Sequence, residues 1–206
     1  MLEILLSTGS RKTLLPGEPL YVGMVSQANF ITFANVAALT QLGMGTAINT
    51  NAQWLMFKLN GKEYYIPQKA IRTSFTWDEL NRLSLVTGKN IPVGDRAFTV
   101  RLMTGATTNP GDTPGGEWNT FMYPIAASRP AGFTGTIQAN LSKADLGIDE
   151  TIDTQGRSNY CQESSLASGS TYCIRRGYQN GITDIGISTK SVANLNSGWR
   201  PILVEV

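Results

Sequence analysis

The chain contains no histidine. It therefore lacks the side chain that most often serves as general base and metal ligand near neutral pH. Charge is scarce as well, at 16% of 206 residues, against roughly 25% in an average globular domain. The net charge is +2, and the adjacent basic pairs are Arg11-Lys12 and Arg175-Arg176. That is too little to make a nucleic-acid footprint. No run of 18 apolar residues is present, so no membrane-inserted helix is expected. The opening Met1–Leu6 has no basic run ahead of its short apolar stretch and is not expected to be a signal peptide. There are two cysteines, Cys161 and Cys173. They form no CxxC pair, and no histidine can complete a zinc site with them.

Acids are scattered. Asp149, Glu150 and Asp153 share one polar loop but lack the spacing of a cation loop. The glycine-rich piece Gly111–Gly116 has no lysine and no strand–loop–helix setting, so it is not read as a phosphate loop. No serine or cysteine has an activating base visible in the sequence. No catalytic, cofactor-binding or metal-binding residues are expected, and the chain is read as a non-enzyme.

What the sequence has is a neutral stretch. From Pro19 to Phe57 there is no Lys, Arg, Asp, Glu or His. Polar residues such as Gln27, Asn35, Gln41 and Asn49 interrupt it, so it does not suit a bilayer. A solvated monomer surface normally mixes charges of both signs. A neutral amide-, hydroxyl- and alanine-rich stretch suits burial against another protein. Its apolar residues Phe30, Phe33, Ala37, Ala38 and Leu42 are the candidate assembly interface.

Hydrophobic residues make up 41% of the chain, enough for a sizeable core. The 21 glycines and 9 prolines fall short of a disordered composition and read as turns in a strand-rich fold. Asn60-Gly61 between two apolar runs is a strong hairpin signal and predicts strands at 54–59 and 62–67. Thr76 with Glu79 makes a capping box, and Phe75 with Leu80 a hydrophobic staple. They predict a helix over 77–87 closed by Gly88. A second helix is expected from about Phe33 to Leu42, ending near Gly43. Glu117–Tyr123 reads as a short helix stopped by Pro124, and Ser142–Asp145 as a small helical start. Further strands are expected at 96–104, 159–163, 172–176, 182–188 and 199–205.

Trp54, Trp77, Trp118 and Trp199 lie in or beside expected elements and are read as core, because large rings dominate core energetics. Tyr160, Tyr172 and Tyr178 fall in the loop-rich final third and are the candidate receptor contacts. Cys161 and Cys173 are read as buried thiols in neighbouring strands of one hairpin, with a disulfide left open should an oxidising exterior be met. Arg200 reads as structural, pinning a neighbouring loop through an acid.

Several motifs in order resemble a domain of tailed-bacteriophage structural proteins. They are Trp54…Phe57…Gly61-Lys62…Tyr65-Ile66-Pro67…Ile71-Arg72, then Phe75-Thr-Trp77-Asp78, Gly116-Glu117-Trp118-Asn119, Tyr160-Cys161-Gln162-Glu163 and Gly198-Trp199-Arg200-Pro201-Ile202-Leu203. The final piece also resembles the last strand of C-type-lectin-like and formylglycine-generating-enzyme-like folds. The resemblance implies an α+β, β-rich fold: a C-type-lectin-like module of short twisted sheets with two or three short helices at 54–206. An extended N-terminal docking segment at 1–53 would precede it. It implies a virion protein of the tail, baseplate, fibre or head-decoration type, made in a bacterial cytoplasm. Its partners would be other virion proteins and its own copies, in a trimer or ring, with a host glycan or receptor as the alternative. No cofactor is implied.

Overall fold

The computed structural model of the chain describes residues 3–5, 11–148, 155–178 and 181–206. The fold is β-rich with few helices and is organised around two six-stranded sheets. Glu3–Leu5 (β1) and Arg11–Thr13 (β2) pair with each other as a separate hairpin.

The first large sheet is antiparallel throughout. Its order is Leu20–Val25 (β3), Trp54–Leu59 (β5), Lys62–Pro67 (β6), Pro201–Glu205 (β14), Arg96–Leu102 (β9) and Lys89–Val93 (β8). Side chains alternate across a strand, and here both faces are covered. Trp54, Tyr65, Phe98, Val100 and Leu203 face one core with the two helices. Leu55, Phe57, Ile66 and Ile202 face a second core around Trp118 and Phe121. Burial on both faces explains why the central strands read as apolar runs rather than as a strict alternation.

The second sheet runs Gly181–Thr189 (β12), Tyr172–Tyr178 (β11), Ser158–Ser164 (β10), Ser197–Trp199 (β13), Arg72–Thr73 (β7) and Thr46–Ala47 (β4). The pair β10–β13 is parallel. The chain leaves this sheet at Trp199 and enters the first at Pro201, so fully buried Arg200 sits at the corner between them. Its guanidinium donates to the Leu146 carbonyl and lies 5.7 Å from the Trp118 ring.

The two expected strands around Asn60-Gly61 appear with the expected bounds, and both turn residues have positive φ (51° and 78°). The capping box forms: Glu79 N–H donates to Thr76 Oγ1 at 3.0 Å and Thr76 N–H to Glu79 Oε2 at 2.7 Å. The helix it starts, Trp77–Arg82 (α2), is shorter than 77–87. Ser84 takes the left-handed conformation at φ 61°, Leu85 N–H donates to the Leu80 carbonyl and Ser84 N–H to that of Asn81. This is a Schellman closure, completed four residues before Gly88. It turns Leu85 and Val86 into the core, which a continued helix would not do.

The other helix, Phe33–Thr40 (α1), ends the same way. Gln41 is left-handed at φ 63°, and Leu42 N–H reaches the Ala37 carbonyl. The expected end near Gly43 therefore moves back to Gln41. Residues 118–122 adopt a π-helix rather than an ordinary helix, and the strand expected at 199–205 is split at Arg200. Ser142 and Asp145 make the reciprocal bonds of a cap around a turn.

The expected division between an arm at 1–53 and a body from residue 54 falls inside one core. β3 pairs with β5 along its length, and Ile31, Phe33, Val36 and Leu42 pack with Trp54. Neutral residues there serve the protein's own sheet and core, so from Leu20 onward the segment is not an extended arm.

Arg176 is the largest polar commitment of the fold. It is fully buried, and burying a cation needs compensation at every donor. Its Nε donates to the Asp184 carbonyl at 2.7 Å and its Nη1 to the Gly105 carbonyl at 2.7 Å and Asn119 Oδ1 at 3.0 Å. Its Nη2 donates to Tyr123 Oη at 3.1 Å. A Cβ on Gly105 would stand 2.4 Å from Cys161 Sγ and 2.9 Å from Arg176 Cγ, so only glycine lets the loop approach. Arg176→Leu removes all of these bonds at once. It is expected to cost at least about 3 kcal/mol, measured as a lower urea midpoint at unchanged slope.

Candidate docking surface and cleft

α1 starts because Thr32 accepts from Asn35 N–H at 3.1 Å as its N-cap. It has no basic residue of its own in its last turn. Lys89 from β8 supplies one, its Nζ donating to the Thr40 carbonyl at 3.0 Å, where a cation suits the helix dipole. The inner face buries Phe33, Val36, Ala37 and Thr40. Ala34, Asn35, Ala38 and Leu39 are exposed.

Beside this helix lies a cleft of about 450 Å³, walled by α1 on one side and by β4, β7 and Ile48 on the other. Gln27 anchors its rim. Its Nε2 donates to the carbonyls of Thr50 and Ala52, and its Oε1 accepts from Phe33 N–H at 2.9 Å. The lining is mostly apolar, and its one charged residue is Arg72. Arg72 Nε donates to the Met44 carbonyl at 3.0 Å, and Arg72 has no ion-pair partner among the described residues. Partial burial draws its pKa down. Trp199 closes the inner end of the cleft, fully buried, and its indole N–H meets no acceptor among the described residues. Across α1 a shallower cleft runs along Phe30, Leu39 and Pro92.

The five candidate interface residues divide. Phe33 and Leu42 are core, and Ala37 is buried at the cleft wall. Phe30 stacks on Tyr65 at 3.7 Å between ring centroids and meets Trp54 edge-on. Ala38 is fully exposed, joined there by Leu39, which sequence reasoning passed over, while Phe30 stays half-buried along the second cleft. Aromatic rings that read as interface are used inside because the sheet needs cover on that face.

The receptor candidates do not form a platform. Tyr160 is buried, its hydroxyl 3.4 Å from the Phe75 carbonyl. It lies on a central strand of the second sheet, which removes it as a contact. Tyr172 is half-buried on β11. The Tyr178 side chain lies outside the described residues.

The four tryptophans are buried as expected. Trp54, Trp77 and Trp118 each donate to a backbone carbonyl, of Ile31, Cys161 and Ile182. Cys161 and Cys173 are free, buried thiols on the paired strands β10 and β11. Burial pushes the Cys161 thiol well up and that of Cys173 to about 12, the reverse of an activated nucleophile. Glu163, buried nearby, accepts Gly105 N–H on both oxygens, and burial raises its pKa. Among the described residues no three His, Cys, Asp or Glu side chains gather into a metal site. Arg72 and Gln27, which build the cleft, carry no sequence signal of their own.

The chain matches no family model, no curated protein and no solved structure at a significant level.

Cys173 and Tyr160 each have a folded pKa near 12, above ordinary values of 9 and 10. The native state favours their neutral forms. That contribution is complete below about pH 9 and is lost as pH rises toward 12. Stability is expected to fall across this window, with both thiols unreactive to a disulfide reagent at pH 8 until the protein unfolds. Rapid labelling of either thiol in the native protein contradicts the burial described.

Proposed function

We propose that the chain is a structural component of a tailed-phage virion, of the tail, baseplate, fibre or decoration type, that assembles with its own copies. The observation that carries this reading is the outer face of α1, which has no charged residue of its own and meets a cation only at its C-terminal end, where Lys89 bonds Thr40 and Gln41. Thr32, Ala34, Asn35, Ala38, Leu39 and Gln41 are exposed there without a charge among them. In a contact between identical copies, groups near the symmetry axis face their own kind. Like charges placed so cost energy, and a neutral face avoids that cost.

The finer reading of the body as C-type-lectin-like rests on the order of the Gly-Glu-Trp-Asn and Gly-Trp-Arg-Pro pieces. It is supported by their meeting in space, with Arg200 of one against the Trp118 ring of the other. A glycan-binding role draws no support from Tyr160, which is interior.

Light scattering behind size exclusion tests the assembly reading. The wild-type protein is expected to form a trimer or ring as concentration rises. Ala38→Asp and Leu39→Asp, both on the outer face of α1, are expected to shift it to monomer. Their stability should change by no more than about 0.5 kcal/mol, as at other surface sites. A wild-type protein that stays monomeric at high concentration, or Asp variants that associate unchanged, defeats the reading. Antibody raised against the chain should decorate purified particles, and its failure to bind or enter them removes the virion assignment.

A further inference from the structure

The cleft between α1 and the β4–β7 edge has the makings of a small-ligand site, and it shares Ala38 with the outer face of α1. Its volume of about 450 Å³ lies within the range of natural ligand pockets, which combine apolar walls with a few polar groups. Here the walls are Ala37, Ala38, Leu42, Ile48 and Ile71, and the polar groups are few and unusual. Arg72 brings a half-buried guanidinium whose Nε donates to the Met44 carbonyl. The Nη groups, the pair that suits a carboxylate fork, have no acid opposite them among the described residues. At the inner end Trp199 also lines the cleft, but its indole N–H, which has no acceptor among the described residues, is itself buried from solvent. Buried tryptophan N–H groups normally find one, and the other three in this protein do.

A lone cation at the wall of an apolar cleft selects against cations and neutral polar molecules alike. It favours an anion with an apolar tail: the tail removes Ala, Leu and Ile surface from water, and the head meets the unpaired guanidinium. The walls carry no acid to oppose such a head. Gln27 holds loop 50–52 to the start of α1, so the cleft is built before any ligand arrives.

We propose that this cleft binds a small carboxylate with a short apolar tail, the carboxylate on Arg72 and the tail between α1 and Ile48–Ile71. The site binds and carries out no reaction.

Titration of the full chain with sodium octanoate, 1-octanol and sodium acetate, each below its aggregation limit, tests the proposal. Affinity is read by calorimetry and position by amide and indole N–H chemical shifts. Octanoate is expected to bind roughly tenfold or more tightly than octanol, the difference a charge-assisted hydrogen bond makes. Acetate should bind more weakly than either. Shifts should centre on Ala38, Arg72 and Trp199. Arg72→Gln is expected to erase the preference for octanoate while octanol binding persists, and Arg72→Lys to keep part of the preference. Ala38→Trp, at an exposed helix position outside the core, fills the cleft and should abolish binding of both.

Equal affinity for octanoate and octanol in the wild-type protein overturns the proposal. So does an octanoate preference that survives Arg72→Gln, or shifts that centre elsewhere. Absence of octanoate binding also overturns it, and leaves the self-association measurement on Ala38→Asp standing on its own.

Discussion

A buried guanidinium with no water to turn to fixes how the parts of this protein meet. Arg176 satisfies its donors with carbonyls and side-chain oxygens from β12, from the loop at Gly105 and from the π-helix at Trp118–Met122. β12 lies far along the chain from the other two, so one side chain holds distant pieces of chain at hydrogen-bond distance. Arginine suits this because its donors are planar, preset and always charged. Lysine would offer a single point of attachment. Arg200 plays a related part beside Trp118, at the corner where the chain passes from one sheet to the other. The second core thus has an indole with two guanidinium groups close to its ring, at 5.8 and 5.7 Å, and the ring's negative face favours a cation.

This anchoring explains how a sheet can be covered on both faces in a chain of modest size. One face takes α1, α2 and the aromatic group of Phe30, Trp54, Tyr65 and Phe98. The other takes the segment from Trp118 to Ala126 with Leu146, Ile148 and Ile182. The long irregular segment between Met122 and Ser142 has little regular structure of its own. It is tied down instead by side chains, with Glu18 accepting from Thr136 and Gln138 bonding both Tyr21 N–H and the Pro19 carbonyl. The charge-free stretch thereby acquires two roles. Its aromatic and branched residues build the first core, and its alanines, amides and threonines are left to make the outer surface and the cleft.

The titratable chemistry points the same way. The two thiols are displaced from reactivity by burial. Half-buried acids are spent on structure: Glu63 bridges to Arg96, whose guanidinium also reaches Glu205 and covers Phe98. Burial opposes ionisation of Glu63, yet the bonds from Arg96 and Tyr65 hold its pKa below the ordinary value. Arg72 departs from this pattern, as a cation without an acid in a wall that is otherwise apolar.

Local signals along the chain determined much of what was built. Asn60-Gly61 dictated a hairpin because both residues accept positive φ. Thr76 and Glu79 dictated where a helix begins, and the tryptophans and cysteines announced their burial by their size and apolar character. Tertiary structure decided the rest. Helix ends moved because Leu42, Leu85 and Val86 are worth more in the core than in another helical turn, and a left-handed Gln41 or Ser84 makes the turn at smaller cost than their exposure. Phe30, Phe33 and Tyr160 went inside because long-range pairing of β3 with β5, and of β10 with β13, put a core where a linear reading saw surface. The cleft at Arg72 was invisible for the same reason. Its walls come from residues 27, 38, 48, 72 and 199, and no local pattern records which distant segments a sheet will bring together.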